Sequence, residues 1–330
     1  MATPVVNATK AYALAGGSLK EDLMDMIFDI SPMDTYFISN VGRGTAKSVT
    51  HEWLVDSLAA VAANKFAEGE PFSAQARGLP SRLKNSTMIT RRDFAVTGTA
   101  QKVSNAGFKE ILAYHTARAA KENKRDIEYH NLNNNPHSAG TTTSPRVSAG
   151  VPNWIYSTNH YKDSAQTTQT TTAPASGYAT ATGAAWGDSA TVYVEADLNA
   201  MLKLAWDQGG EPSVVIGDSI AFNLASTFTG VAQRFSDVGG KQPAKIIGYS
   251  DVFVSPYGTV KLILSRYCMA NTWFALELDK WQLDFLRPFQ VLDSGRDGDQ
   301  ERRTLLAEWT LVAKNPLANA KAHGVAATAG

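Results

Sequence analysis

Cysteine is almost absent from this sequence, which contains one, Cys268, among its 330 residues. A single thiol cannot form an internal disulfide or a cysteine-rich metal site, and such usage fits a reducing cytoplasm. Because Cys268 stands in the apolar run KLILSRYCMA, we interpret it as a small buried hydrophobic side chain rather than as a nucleophile.

An excess of one charge is also missing, since 31 Lys and Arg residues balance 31 Asp and Glu residues. No global charge therefore attracts the protein to nucleic acid or to a membrane surface, and any contact with DNA would use a local face. With 44% hydrophobic and 19% charged residues, the composition is globular and supports one or two domains with a substantial core.

Long apolar runs are missing too. No stretch approaches the length of a transmembrane helix. The first residues, MATPVVNATKAYALAGG, lack the charged start and the continuous apolar core of a signal peptide. These absences predict a protein that is made and kept in a cytoplasm, with no membrane partner.

One glycine-bounded stretch, VGRGTAKS over residues 41–48, resembles a phosphate-binding loop without meeting its requirements. Ala46 precedes Lys47 where such a loop needs glycine, and Val41 stands in place of the first glycine. The backbone therefore cannot wrap a phosphate in the required way, and the sequence predicts no nucleotide site here.

A second stretch, DSGRDGDQE over residues 293–301, has the acidic and glycine-rich composition of a calcium loop. Gly295 replaces the third-position ligand, and Thr304 stands where a bidentate glutamate belongs. A polar turn between two strands is therefore the favoured interpretation.

Side chains able to support catalysis do not group along the sequence. No GxSxG motif is present, and no local signature joins serine, histidine and aspartate into a triad. The histidines do not follow metal-ligand spacing, and His130 and His137, which flank a helix end, are expected to be solvated. We therefore predict no catalytic residue, no metal and no cofactor; the remaining features are those of an assembly subunit. The other histidines are His51, His115, His160 and His323.

The strongest helical pattern covers residues 104–136 and predicts a long spine helix. Ser104 or Asn105 can cap its first amides, and the three asparagines and the proline at 133–136 end it. At 1.5 Å per residue it would be about 40 Å long, the span of a small domain. An ordinary surface helix is the alternative. The apolar or small side chains at helical spacing are Phe108, Ile111, Leu112, His115, Ala119 and Ile127.

The chain before this helix is expected to be extended. Small residues, a proline and a Gly-Gly pair predict a mobile or extended arm over residues 1–18. A short amphipathic helix is predicted over 19–30, with Ser18 and Glu21 in capping-box positions.

Two strand-like runs, Ala46–Leu58 and Ser86–Val103, flank a long excursion. The excursion has few large apolar residues and cannot form a core of its own. A loop this long is either functional or finds its partner on another chain, and a disordered insertion is the alternative. The strands on both sides favour a two-stranded projecting arm. Its charged residues include Lys65, Glu68, Glu70, Arg77, Arg82 and Lys84.

Beyond the predicted spine, residues 137–190 are rich in Ser, Thr, Ala and Gly and are expected to form an exposed insertion. A helix with Leu198 on its apolar face is predicted over 194–210. A strand, a tight turn and a helix are predicted over 211–228, with Asp218 or Ser219 as the cap of the helix.

The last part of the chain is dominated by strand patterns. A turn at Pro256–Gly258 is expected to join two strands, and alternating residues predict single long strands over 271–289 and 302–316. We expect these strands to form one antiparallel sheet over 251–316, and the spine helix is the element available to cover it.

A family resemblance is carried by residues 21–60, EDLMDMIFDISPMDTYFISNVGRGTAKSVTHEWLVDSLAA. A short helix leads to SPMDTYF, then to a glycine-bounded turn, then to HEWLVDSL. This order of features resembles the major capsid proteins of tailed bacteriophages, in particular the SU-ten-like major capsid protein family. The likeness is specific over about residues 20–115 and weaker over 192–315.

The resemblance implies an α+β chain with the Hong Kong 97-type phage capsid fold. In that fold a peripheral domain carries a spine helix and an antiparallel sheet, and an axial domain lies at the capsomer centre. The implied division is an N-terminal arm over 1–45, an extended loop over 46–103, a peripheral spine helix over 104–136, an axial domain with its insertion over 137–250, and a peripheral β-sheet with a C-terminal tail over 251–330.

The same resemblance implies a virion protein that assembles in the host cytoplasm, as pentamers and hexamers, into an icosahedral shell around double-stranded DNA. The six charged residues of the excursion would then contact neighbouring subunits. Expected partners are a portal protein, a separate scaffolding protein, a decoration protein and DNA bound without sequence specificity. Two alternatives stay open: an encapsulin-type nanocompartment of the same fold, and an enzyme whose site is assembled from distant residues.

Overall fold

The predictions for the arm and helix over 1–30, for the caps Ser104 and Asn105, and for most of the insertion after residue 161 lie outside the residues that the structure describes. Within the described residues, no helix is both long and apolar enough to cross a membrane. The computed structural model describes residues 34–59, 61–72, 78–103, 110–161, 176–179, 191–226, 228, 252–296 and 298–326.

The first half of the described chain contains the spine helix and four of the longer strands. The helix ends at Leu132, just before the residues predicted to stop it, but it begins at Ile111 after an extended Glu110, so the spine predicted over 104–136 is wrong at its start. The elements are α1 (Tyr36–Asn40), β1 (Gly42–Thr45), β2 (Thr50–Val55), β3 (Ser81–Ser86), β4 (Met88–Thr97), α2 (Gly98–Lys102), the spine helix α3 (Ile111–Leu132) and α4 (Val151–Trp154).

The second half contains shorter helices and most of the strands. The predicted helix over 194–210, the strand–turn–helix unit over 211–228 and the turn at Pro256–Gly258 are confirmed. Asp218 caps the helix of that unit by accepting from the Ala221 N–H at 3.0 Å. The elements are β5 (His160–Tyr161), β6 (Thr191–Val192), α5 (Glu195–Asp207), β7 (Val214–Gly217), α6 (Ser219–Ser226), β8 (Val252–Ser255), β9 (Gly258–Leu264), β10 (Thr272–Leu276), β11 (Trp281–Arg296), β12 (Gln300–Ala313), β13 (Ala320–His323) and β14 (Val325–Ala326).

One sheet has the strand order β1-β11-β12-β4 and packs against the spine helix. Strands β11, β12 and β4 are antiparallel, and β1 adds a parallel edge strand beside β11. Trp309 and Leu311 of β12 are fully buried in one core with Ile127 of α3. Arg92 of β4 donates twice to Asp126 of α3, at 2.8 and 2.7 Å. The predicted cover of an antiparallel sheet by the spine is confirmed.

A second sheet has the strand order β5-β13-β10-β7-β9-β8. Its central strands bury both faces. On one side Val215 and Trp273 pack in a cluster with Leu198 of α5, which lies on the apolar face predicted from sequence. On the other side Ile216 and Phe274 belong to the same core as the first sheet.

The late strands do not form one sheet, so the prediction for 251–316 is wrong in its extent. Strands β8, β9 and β10 belong to the second sheet, whereas β11 and β12 belong to the first. The single strand predicted over 271–289 is also wrong, because a short 3-10 turn at Leu278–Lys280 separates β10 from β11. Apolar and polar residues keep alternating through this turn, in LELDKW, so the period does not mark the break.

A separate hairpin is formed by β2 and β3, in register from Thr50 opposite Ser86 to Val55 opposite Ser81. The strand that pairs with β2 was predicted to begin at residue 86, and this is wrong. Strand β3 comes from the end of the predicted excursion, and β4 pairs with β12 instead. The predicted strand also ends early, at Thr97, whose hydroxyl accepts from the Ala100 N–H at 3.3 Å and caps α2.

Gly210 lies between α5 and the following strand, and its backbone closely approaches the backbone of Ala318. A Cβ at Gly210 would lie 2.3 Å from the Ala318 carbonyl oxygen and 2.5 Å from the Ala318 Cα, so backbone would have to move. We expect Gly210→Ala to destabilise the fold by about 3 kcal/mol. Gly209→Ala is the control, since Gly209 has a φ of +82° and open space around it, and strain alone costs about 1 kcal/mol.

Urea unfolding of the two glycine variants checks this expectation. Equal losses of stability in both would show that the contact with Ala318 relaxes at little cost.

Candidate assembly site

Two of the predicted contact residues, Arg82 and Lys84, lie on β3 and share one carboxylate across the hairpin. Arg82 Nη1 is 3.1 Å from Glu52 Oε2, and Lys84 Nζ is 3.4 Å from Glu52 Oε1. Sequence reasoning treated both as charges waiting for a neighbouring subunit, whereas the structure gives each a partner within the chain. Because these pairs are partly solvated, each stabilises the hairpin by about 0–1 kcal/mol.

The other predicted contact residues lie beyond the hairpin. Lys65, Glu68 and Glu70 are exposed. Among the described residues, none of them forms an ion pair with Arg82 or Lys84. The chain turns at Gly69, with a φ of +83°, where the Ala67 N–H donates to the Glu70 carboxylate at 3.0 Å. The sixth residue, Arg77, lies outside the described ranges.

Because β2 ends at Val55 and β3 begins at Ser81, the excursion predicted between residues 58 and 86 is redefined as residues 56–80. Sequence reasoning missed its apolar side chains. They do not recur at a helical or strand period, so no pattern singled them out. In the structure Leu58 is 97% exposed and Leu79 is 90% exposed. Exposed apolar groups of this number on one segment are typical of a protein interaction surface. The exposed large apolar residues of the excursion are Leu58, Val61, Phe66, Phe72 and Leu79.

The hairpin is attached to the body through Trp53 on β2. The Trp53 indole N–H donates to the Ala313 carbonyl of β12 at 2.9 Å. Its ring also packs on Trp154 of α4, with ring centroids 5.2 Å apart. These two contacts hold the inner end of the hairpin against the four-stranded sheet.

Asn85 on β3 makes a second attachment and is fully buried. Its Nδ2 donates to the Leu311 carbonyl at 2.7 Å and to Ser148 Oγ at 3.0 Å. Its Oδ1 accepts from the Ala149 N–H at 2.9 Å. One amide therefore joins the hairpin, β12 and the segment before α4, although sequence reasoning placed it in a loop.

Glu308 on β12 forms the third attachment. Its Oε1 accepts from Thr87 Oγ1 and from Arg146 Nη2, both at 2.8 Å. Its Oε2 accepts from Arg287 Nε at 2.8 Å. Thr87 is the residue between β3 and β4, so this buried carboxylate fixes the point at which the hairpin joins the sheet.

Two histidines near the same junction correct the expectation that they are solvated. His130 Nε2 donates to the Ser148 carbonyl at 2.7 Å, and burial lowers the pKa of His130. The His137 ring stacks on Tyr178 with centroids 3.9 Å apart and bonds to Ser86 Oγ at 2.9 Å. Burial lowers the pKa of His137 as well. The His137 ring therefore contacts the base of the hairpin through Ser86, and the His130 ring joins the spine helix to the segment before α4.

His160 and His323, which no spacing in the sequence pairs, form a buried hydrogen bond between the neighbouring strands β5 and β13. Across the described ranges, no group of three or more His, Cys, Asp or Glu side chains is placed to hold a metal ion. The phosphate-loop look-alike is partly strand, since residues 42–45 form β1 beside β11. The acidic stretch at 293–301 spans the turn between β11 and β12, as predicted.

The segment before β1 is attached to the spine helix by a buried carboxylate. The Phe37 N–H donates to Glu128 Oε1 and the Ile38 N–H to Glu128 Oε2, each at 2.8 Å. Burial raises the pKa of Glu128 to about 7, against the opposing effect of these two bonds and of Lys124 one turn away. The carboxylate thereby caps α1 from a distant helix, because Thr35 makes no side-chain cap.

Comparison with known proteins bears on what this architecture is. A family model described as SU10 major capsid protein matches residues 4–326. A curated relative, the major capsid protein of Escherichia phage Phieco32, is 29% identical over 125 residues. That alignment covers 38% of this chain and only 36% of the relative's length.

Solved capsid structures share the fold at low identity. The capsid asymmetric unit of cyanophage A-1(L) has a TM-score of 0.68 and 14% identity, and covers 97% of this chain and 99% of its own. The capsid of a native GTA particle has a TM-score of 0.60 and 11% identity, with 97% and 100% covered. The four-stranded sheet with its spine helix, the six-stranded sheet and the projecting hairpin are thus those of the Hong Kong 97-type phage capsid fold, and the chain belongs to the SU10 major capsid protein family.

Proposed function

We propose that this chain assembles with copies of itself, as hexamers and pentamers, into the icosahedral shell that encloses the double-stranded DNA genome of a tailed phage. The family is a structural one, and capsid proteins self-assemble into oligomeric shells. The observation that carries the proposal is the excursion: its apolar side chains are exposed, yet the hairpin that bears it is firmly attached to the body.

The energetics favour another subunit as the cover for these side chains. Fully burying a large apolar side chain stabilises by about 1.5–3 kcal/mol, so five of them supply a substantial driving force once the ordering cost of the segment is subtracted. A closed shell repeats the same contact at every subunit. The predicted contact residues Lys65, Glu68 and Glu70 lie on the same segment and would add electrostatic selectivity at its rim.

The structure supports a revised division into domains. The hairpin and the excursion correspond to the extended loop, and the spine helix with the four-stranded sheet to the peripheral domain. The six-stranded sheet and α5 correspond to the axial domain, which then includes β8–β10 and β13 from the part of the chain assigned to the peripheral sheet by sequence.

Other partners follow from the proposed shell. We expect a portal protein, a separate scaffolding protein, a decoration protein and DNA held by sequence-independent contacts, with assembly in the host cytoplasm. The family match favours a phage shell over an encapsulin-type nanocompartment.

Electron microscopy of the protein co-expressed with its flanking genes tests the proposal. We expect the native chain to form closed shells or free capsomers. We expect a variant with the five apolar residues of the excursion changed to serine to remain a folded subunit with unchanged thermal stability, and to form neither. The control variant changes to serine two apolar residues that are exposed on the body, Val103 and Tyr129. Shells from the five-serine variant, or a native chain that stays monomeric, would contradict the proposal.

A further inference from the structure

The connection between β1 and β2 encloses an open depression of about 550 Å³. Its lining is rich in hydroxyl groups and contains one lysine ammonium group, a composition that suits an anionic group. The lining residues are Thr45, Lys47, Ser48, Thr50, His51 and Glu52.

The available charge at this depression is positive. His51 is held by Asp284 at 2.9 Å, and Glu52 is neutralised by the two cations of β3. Lys47 is exposed and has no ion pair among the described residues. Arg43, also exposed and without a described ion pair, lies two residues before Thr45 on β1 and so on the same face of that strand.

The complementary charge lies on the turn of the excursion at residues 66–72, FAEGEPF. Glu68 and Glu70 are exposed, and neither has an ion pair within the described ranges. Phe66 and Phe72 flank them and are also exposed. This turn presents two carboxylates flanked by two apolar rings, so its charge is complementary to a hydroxyl-rich, cationic depression on another molecule.

Among the described residues, Glu68 and Glu70 make no ion pair with Arg43 or Lys47 of their own chain. Strand β2 begins at the depression and runs to Val55, which carries the chain about 17 Å away before the excursion starts. In an assembly of identical chains, a second copy can bring its acidic turn to this surface.

We propose that the acidic turn of one subunit, through Glu68 and Glu70, docks in the depression of a second copy beside Arg43 and Lys47. This inference rests on the proposed self-assembly and assigns a receiving surface to the excursion. Like-charge contact should repel the turn, so reversal of either side alone should weaken assembly and reversal of both should restore it.

Charge reversal in three variants tests the pairing: R43E/K47E, E68K/E70K and the combination of all four. We expect each double reversal to weaken subunit association by about tenfold, as two pairs of about 0.5–1 kcal/mol are lost and replaced by repulsion. The fourfold variant should recover to near the native level. The matched control, K102E/K314E, reverses two exposed lysines without described ion pairs and should assemble normally.

Disulfide capture identifies the source of the turn. Shells co-assembled from K47C chains and E70C chains should give a cross-linked dimer on a non-reducing gel, whereas K314C chains with E70C chains should not. Native shells with unaffected double reversals would overturn this inference alone. Weakening by R43E/K47E that E68K/E70K does not rescue, with loss of packaged DNA, would assign the depression to nucleic acid and also overturn it. A native chain that never assembles would overturn the proposed function as well.

Discussion

Replacing Arg146 and Arg287 together with methionine is expected to destabilise the subunit by about 3 kcal/mol at neutral pH. The Glu308 side chain is only 5% exposed, whereas Arg146 and Arg287 are 30% and 41% exposed. Water therefore partly screens the two guanidinium groups, but it does not screen the Glu308 carboxylate that remains after their removal. It would keep the Thr87 hydroxyl as a donor and lose both positive charges. Methionine retains much of the arginine stem, so lost packing contributes little.

The variant that also changes Glu308 to glutamine separates charge from packing. Glutamine removes the stranded charge and still accepts from Thr87, so we expect it to recover most of the loss. Arg118→Met, which removes an exposed pair with Glu122, should cost less than about 0.5 kcal/mol.

Urea unfolding at pH 7 measures these differences, and hydrogen exchange at residues 81–86 reports on the hairpin. A loss below about 1 kcal/mol in the double variant, unchanged by glutamine at position 308, would contradict the role assigned to Glu308. Because Thr87 lies where the hairpin meets the sheet, we also expect faster exchange in β3 when the carboxylate is stranded.

Local signals in the sequence were enough to predict several elements. The end of the spine helix at Leu132, the buried face of α5 around Leu198 and the cap at Asp218 all depend on residues within a few positions of each other. Periodicity and capping chemistry act over that range, so one sequence contains the whole signal. The break between β10 and β11 at Leu278–Lys280 could not be predicted in this way. The two strands join different sheets, and the strands they pair with lie far away in the sequence.

The attachment of the hairpin could not be predicted, because its polar residues bind partners far away in sequence. Asn85 reaches Leu311 across 226 residues, and Glu308 reaches Thr87 across 221. A single asparagine or glutamate within a strand pattern does not indicate which distant residue it will bind. The excursion was recognised from its length and composition, but its predicted bounds included Arg82 and Lys84, which lie on β3 and already share Glu52. The large apolar residues scattered through the excursion were a better signal of an interface than its charged residues.

Changing Glu128 to glutamine is expected to remove about 3 kcal/mol of pH-dependent stability between pH 8 and pH 4. Burial raises the pKa of Glu128 to about 7 in the folded chain, from an ordinary value of 4.5. Between these two values the folded state keeps a proton that the unfolded chain has lost. The contribution of Glu128 is therefore complete below pH 4.5 and is lost as pH rises through 7, and glutamine cannot show this dependence.

Unfolding of both proteins by urea across this range isolates the effect, since other groups titrate equally in each. The same carboxylate holds the Phe37 and Ile38 amides, so the local consequence can be measured too. Opening of residues 34–40 returns Glu128 to water, where its pKa falls to the ordinary value, and the opening constant should therefore increase as pH rises through the window, by up to about 300-fold. Protection factors at Phe37 and Ile38 should fall accordingly in the native chain and stay level in the glutamine variant. Parallel pH profiles in the two proteins would contradict this account and would show that α1 is held in place by packing of Phe37 against Trp281 of β11 rather than by the carboxylate.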